Sequence, residues 1–147
     1  LNLALKQPQL VKKIFTLGTK FNWSMESAEH EVKMLNPDKV EEKIPHFAEH
    51  LKILHAPQDW KKVMTKTAEM MLAMAGGAKL VDDDFKQISQ EVIIGIGELD
   101  NMVTYEESEN VNGLLPSSRL VQLEGVKHPI EVVDSQTVFE FIRSNNK

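Results

Sequence analysis

The chain has 147 residues, 41% of them hydrophobic and 27% charged, with no cysteine, a mixture that fits one globular domain with a real core and excludes disulfides and thiolate metal sites. Its net charge is −5, its lysines are dispersed and its only arginines are Arg119 and Arg143, which argues against a nucleic-acid partner. No apolar run reaches the roughly 20 residues of a membrane span. No signal peptide is visible, and the lack of cysteine suits a reducing compartment, so a cytoplasmic protein is expected.

LNLALK opens the sequence with Leu1, Leu3, Ala4 and Leu5 at helical positions and no cap before them. A helix without a start signal is a poor beginning for a domain, so the N-terminus is expected to be a cut. The helix stops near Pro8. Ile14, Phe15 and Leu17 form a short apolar strand that ends at Gly18. From Ser24 to about Ala78 strand signals vanish. Ser24 caps a helix through Met34, with Glu26 in its first turn. Asn36-Pro37 starts a second helix and Pro45 a third, HFAEHLKILH. After Pro57, Trp60, Val63, Met64, Thr67, Met71 and Met74 recur at helical spacing up to Gly76-Gly77.

Alternation then returns. Asp82 or Asp83 caps a short helix, DDFKQI. EVIIGI is a continuous apolar run, as expected for a strand buried on both faces. TYEESENVNGLL is a helix closed by Pro116, and RLVQLEG is a third strand followed by a GVKH loop. SQTVFEFIRS is a final amphipathic helix, expected to turn Val138, Phe139 and Ile142 inward. The order predicts an α/β fold with a parallel sheet in which one crossover has grown into a helical layer.

Ligands of open parallel sheets bind beyond the carboxyl ends of the strands. GELDNMV places Asp100 after one strand, and LEGVKHPIE places His128 after the next. A carboxylate beside an imidazole fixes its tautomer and stabilises the imidazolium, which is what a general base needs. Singly, Asp100 reads as a turn cap and His128 as an ordinary loop histidine. At successive strand ends, together, they read as an acid and a base. Glu98 is the fallback acid.

The remaining signals are weaker. His46 and His50 lie four apart on one helix, with His55 after them, but no third ligand and no H-E-x-x-H pattern accompanies them, so a solvated face is the expected reading. Trp23, Trp60, Met64, Met70, Met71 and Met74 offer either core packing or an adaptable wall for an acyl or aromatic pocket. Asp82, Asp83 and Asp84 read as dipole partners of a helix start rather than a metal site. GIGEL lacks the third glycine and the following helix of a dinucleotide loop.

GELDNMV matches the G-x-x-D-x-x-V pattern after the seventh strand of α/β-hydrolases. LVQLEGVKHPIE resembles their eighth strand and histidine loop, although it reads GVKH where G-x-G-H is commoner. The stretch from Thr19 to about Ala78 resembles their cap, and LNLALKQPQLVKKIFTLGT resembles the helix after the nucleophile turn and the sixth strand. The resemblance covers the whole chain but only the C-terminal part of the fold. It implies a partial α/β-hydrolase fold of three parallel strands, with residues 1–18 and 79–147 as core and 19–78 as a helical cap (lid). By the same resemblance Asp100 is the triad acid and His128 its base, while Trp23, Trp60, Met64, Met71 and Met74 shape the substrate pocket. No metal or organic cofactor is implied.

The family's nucleophile sits in a G-x-S-x-G turn. None of Ser24, Ser27, Ser89, Ser108, Ser117, Ser118, Ser135 and Ser144 stands in such a turn. The parent is therefore expected to be a serine hydrolase of esters or similar small acyl substrates, with its nucleophile upstream of Leu1. The chain alone is expected to be inactive, and to self-associate through the strand edge at Ile14–Leu17 or to need its upstream half. The alternative is a non-catalytic α/β binding or interaction module.

Overall fold

The computed structural model describes residues 1–146. Three parallel strands lie in the order β1 (Lys13–Leu17), β2 (Glu91–Leu99) and β3 (Ser118–Lys127). Eight α-helices accompany them among the described residues: α1 (Asn2–Lys6), α2 (Met25–Val32), α3 (Pro37–Lys43), α4 (Pro45–His55), α5 (Trp60–Ala73), α6 (Asp82–Lys86), α7 (Tyr105–Leu114) and α8 (Ser135–Asn145). The chain forms two compact units: Leu1–Asn22 with Leu80–Lys147, and Trp23–Lys79.

In the sheet unit, β2 is central and its side chains alternate between two cores. Val92 and Ile94 pack with Ala4, Phe85, Ile88, Val111 and Leu115 on one face. Ile93 packs with Leu123, Val126 and Phe141 on the other. Val92, Ile93, Ile94 and Ile96 are no more than 1% exposed, so the continuous apolar run reflects burial on both faces. Glu91 opens β2 opposite Lys13 of β1, and the two pair at 2.8 Å.

Two strands outrun their sequence patterns. β2 continues past EVIIGI to Leu99, and β3 continues past RLVQLEG to Lys127, so the expected GVKH loop is largely strand. The reason is a register break: Gly97 lies opposite Leu123, but Leu99 lies opposite Lys127. Residues 124–126 bulge out, and pairing then resumes.

The inward face of α8 also departs from expectation. Phe141 is 6% exposed, whereas Phe139 and Ile142 are 54% and 40% exposed. The cause lies in the sheet. A Cβ on Gly95 would stand 2.9 Å from the Phe141 ring and 2.9 Å from the Thr16 carbonyl oxygen, so the missing side chain at residue 95 is what admits that ring. Phe141 also meets Phe15 edge-on, with centroids 5.9 Å apart.

Helix starts follow local chemistry. Ser24 and Ser27 form a reciprocal capping box at the head of α2, each hydroxyl accepting the other's backbone N–H at 3.1 Å. α2 ends at Val32, two residues short of Met34. The Asn36 side chain caps α3 and the Asp59 side chain caps α5, each accepting an amide at 3.0 Å. Neither Asp82 nor Asp83 caps α6. Val81 holds the cap position, and the Asp84 carboxylate reaches back to accept its N–H at 2.9 Å. Asp82 and Asp83 lie in the first helical turn instead, where their charge suits the helix dipole. The helical unit has its own core of Val40, Ala48, Trp60 and Met64. α5 runs into a wider turn, Met74–Ala78, in which Gly77 takes φ 110°, a conformation that favours glycine. Lys79 closes the unit by donating from its ammonium to the Trp23 carbonyl at 2.7 Å.

Candidate active site

Asp100 is the first residue after β2. Its backbone N–H donates to the Gly97 carbonyl at 3.2 Å, turning the chain out of the sheet. Its Oδ1 then accepts the N–H groups of Met102 and Val103, both at 2.9 Å. This local turn aims the second carboxylate oxygen, and Oδ2 lies 3.1 Å from Nδ1 of His128. The Asp100 side chain is 3% exposed and that of His128 is 24% exposed. A buried acid thus orients a half-open imidazole.

His128 arrives through the bulge in β3. The bulge is possible because residue 97 lacks a side chain: a Cβ there would overlap the Val126 carbonyl. Gly125 within the bulge has φ +67°, and its N–H donates to the Glu98 carboxylate at 2.9 Å. Glu98, the fallback acid, is therefore engaged with backbone three residues before His128, and Asp100 is the carboxylate at the imidazole.

Gly18 closes the third side. It follows β1 with φ +55°, and its N–H donates to the Gly95 carbonyl at 3.0 Å. A Cβ at this position would sit 3.0 Å from Asp100 Oδ2 and 3.3 Å from His128 Nδ1. The ends of all three strands therefore converge on one acid–base pair.

Burial pushes the Asp100 carboxyl up, but the amides of Val103 and Met102 and the imidazole of His128 together hold it below the ordinary aspartate value. The ionised carboxylate only accepts hydrogen bonds, so Nδ1 of His128 is the donor, and in the neutral form of the ring the lone pair falls on Nε2. Among the described residues Asp100 is the one hydrogen-bond partner of the His128 ring. The pair borders a cavity of about 210 Å³ lined also by Gly18, Gly97, Pro129 and Ile130. An imidazole held in this tautomer can take a proton from a nucleophile and pass it to a leaving group. Larger cavities lie elsewhere, one of about 410 Å³ beside α8 and one of about 680 Å³ beside Lys62 and Met70, and neither touches the pair.

Of the other singled-out residues, Asp82, Asp83 and Asp84 lie in the sheet unit, at the start of α6, and the rest fall in the helical unit. Trp60 and Met64 are buried in its core, Trp23 is buried, and Met71 and Met74 are half-buried. His46, His50 and His55 form no group with other ligands, and no cluster of three or more His, Asp or Glu side chains able to hold a metal exists among the described residues. No helix among them is long and apolar enough to cross a membrane. Sequence reasoning missed Gly18 as part of the site, and it offered Glu98 only as a fallback acid, not as the acceptor of the Gly125 N–H. It also missed Glu107, whose carboxylate accepts the backbone N–H of Phe21 at 2.5 Å and that of Asn22.

No protein-family profile and no curated protein matches the sequence. Solved structures do match it. NosK from Streptomyces actuosus superposes with a TM-score of 0.67 at 17% identity, over 99% of this chain and 64% of that one. MGS-M2, an alpha/beta hydrolase enzyme from a Medee basin deep-sea metagenome library, gives 0.62 at 16% identity, over 99% and 60%. A serine hydrolase involved in carbazole degradation, CarC, gives 0.62 at 14% identity, over 98% and 58%. The chain therefore has a partial α/β-hydrolase fold, and it spans about 60% of the length of the structures it matches.

Proposed function

We propose that this chain supplies the acid and the base of a serine hydrolase acting on an ester or a similar small acyl substrate. The observation that carries the reading is the Asp100–His128 contact at 3.1 Å, with Nε2 without a partner among the described residues, beyond the carboxyl ends of three parallel strands. Asp100 holds the tautomer, and His128 Nε2 takes the proton of a serine hydroxyl contributed by the upstream part of the fold. The same imidazole then returns that proton to the departing alcohol. The serine hydrolase among the matched structures supports the choice of chemistry. Residues 19–78 are the cap in this reading, with half-buried Met71 and Met74 as adaptable side chains suited to an acyl group. Among the described residues β1 pairs with β2 alone, so its outer edge is where the upstream half, or a second copy of the chain, adds a strand.

The test is complementation. The chain alone should turn over p-nitrophenyl acetate no faster than free imidazole, because none of its serines stands in a G-x-S-x-G turn. Co-expression with the coding sequence upstream of Leu1, as a separate polypeptide, should restore hydrolysis that His128→Ala abolishes. Restored hydrolysis that survives His128→Ala, or a correctly assembled pair with no hydrolysis, overturns the reading.

A further inference from the structure

We infer that Glu98 is a positioning residue for the acid–base pair, acting on His128 through the backbone of the β3 bulge. The inference rests on the reading of Asp100 and His128 as acid and base. It deepens that reading by identifying what sets their distance.

Three observations converge. First, β3 carries extra residues between Leu123 and Lys127, and a bulged amide loses its place in the strand ladder. The Glu98 carboxylate supplies that lost partner by accepting the Gly125 N–H at 2.9 Å. Second, Gly125 sits at φ +67°, and a Cβ on it would meet nothing within 4 Å. Val126 anchors one end of the bulge in the core, but nothing packs against Gly125 itself, so its hydrogen bond to Glu98 is what holds this residue in place. Third, Gly97 and Asp100 flank Glu98 on the same strand end. Gly97 leaves space for the Val126 carbonyl, Glu98 grips Gly125, and Asp100 grips the imidazole itself. One short stretch, Gly97–Asp100, therefore sets both the path of the loop and the orientation of the ring.

Glu98 touches neither the imidazole nor the cavity beside it, so its part is positional. The role needs an acceptor oxygen at the reach of a glutamate and needs no charge. Glutamine should serve and alanine should not.

The experiment uses the full chain and three NMR readings: hydrogen exchange of the Gly125 amide, the ¹³C titration of the Asp100 carboxyl, and the ¹⁵N pattern of the His128 ring. In Glu98→Ala the Gly125 amide should exchange at least tenfold faster. The Asp100 titration should move up towards that of an ordinary aspartate, and the His128 ring should lose its single-tautomer pattern. Glu98→Gln should restore all three. His128→Ala is the control: it should move the Asp100 titration and leave Gly125 exchange as in the wild type. If Glu98→Ala speeds exchange at Gly125 but leaves Asp100 and His128 unchanged, the brace is local and the positioning role is overturned. Glu98→Leu, similar in volume and without an acceptor, stands in if the alanine variant does not fold. Failure of both to fold beside a normal glutamine variant would make Glu98 a folding residue and also overturn the role. None of these readings involves turnover. A complemented protein without hydrolase activity would sink the functional proposal and leave the positioning result standing.

Discussion

Gly18→Ala should break the acid–base pair from a position with no side chain of its own. Two costs combine. An L-residue in the left-handed region costs roughly 1–2 kcal/mol, and residue 18 stands at φ +55°. The added methyl would lie 3.0 Å from Asp100 Oδ2 and 3.3 Å from His128 Nδ1, closer than either oxygen or nitrogen accepts a carbon at rest, so the contact has to open. A hydrogen bond to a charged group contributes roughly 1.5–3 kcal/mol. The expected loss is about 3 kcal/mol, read from urea unfolding at neutral pH. The variant also makes a prediction about acid. Asp100 is held below the ordinary value of 3.8, so its contribution to stability is fully present above that value and is lost as pH falls through the lower folded one. Gly18→Ala removes the imidazole's share of that lowering and keeps the share of the Met102 and Val103 amides. Its stability should therefore fall less steeply than the wild type's as pH drops below about 4. Gly113→Ala is the internal control. That glycine lies within α7 with open space around it, and alanine there should add roughly 0.5–1 kcal/mol. If Gly18→Ala unfolds within about 0.5 kcal/mol of the wild type and the Asp100 titration stays put, the steric reasoning is refuted.

Phe141→Ala should cost roughly 3–5 kcal/mol in the same assay, whereas exposed Phe139→Ala should stay within about 0.5 kcal/mol, and equal costs would mean that α8 docks on another face. Glu107→Ala should release the Phe21 and Asn22 amides to faster hydrogen exchange, at a cost of roughly 1–3 kcal/mol for the unpaired groups; unchanged protection would show that the clasp is not formed in solution. In the complemented protein, Asp100→Asn should lower kcat about 10⁴-fold by favouring the wrong tautomer while leaving the fold intact. A loss of less than tenfold would remove Asp100 from the role of orienting acid.

The sheet was legible because its signals are local and redundant. An apolar run from Val92 to Ile96 has few ways to be buried other than as a central strand, and Gly18, Asp100 and Pro116 punctuate the elements around it. The order and direction of the strands were legible for the same reason, and with them the placing of Asp100 and His128 beyond neighbouring strands, although β2 and β3 both run further than their patterns. The face of α8 was not. Its sequence offers Val138, Phe139, Phe141 and Ile142 over little more than one turn, so periodicity alone cannot orient it. What orients it is a gap at Gly95, on a strand some forty residues earlier. That information is tertiary and leaves no mark in the local pattern.

The bulge was hidden by a different cause. LEGVKHPIE reads as a strand that stops at a glycine, because Gly125 in a strand pattern signals either a break or a bulge and both look alike. The deciding partners, Gly97 and Glu98, sit on the neighbouring strand, and each has a plausible local role of its own. Glu98 in particular stands beside Asp100 as a fallback acid, although the spacing favours Asp100. Geometry separates them by what each oxygen meets. Glu98 meets a backbone amide that the bulge has taken out of the ladder, and Asp100 meets a ring nitrogen. Both carboxylates serve the same imidazole. One holds the ring and the other holds the chain that carries it, so the pair should be read as a unit: substituting Glu98 and Asp100 together should shift the His128 ring little further than Asp100→Asn alone, because loop position matters to the ring only while there is a carboxylate for it to reach.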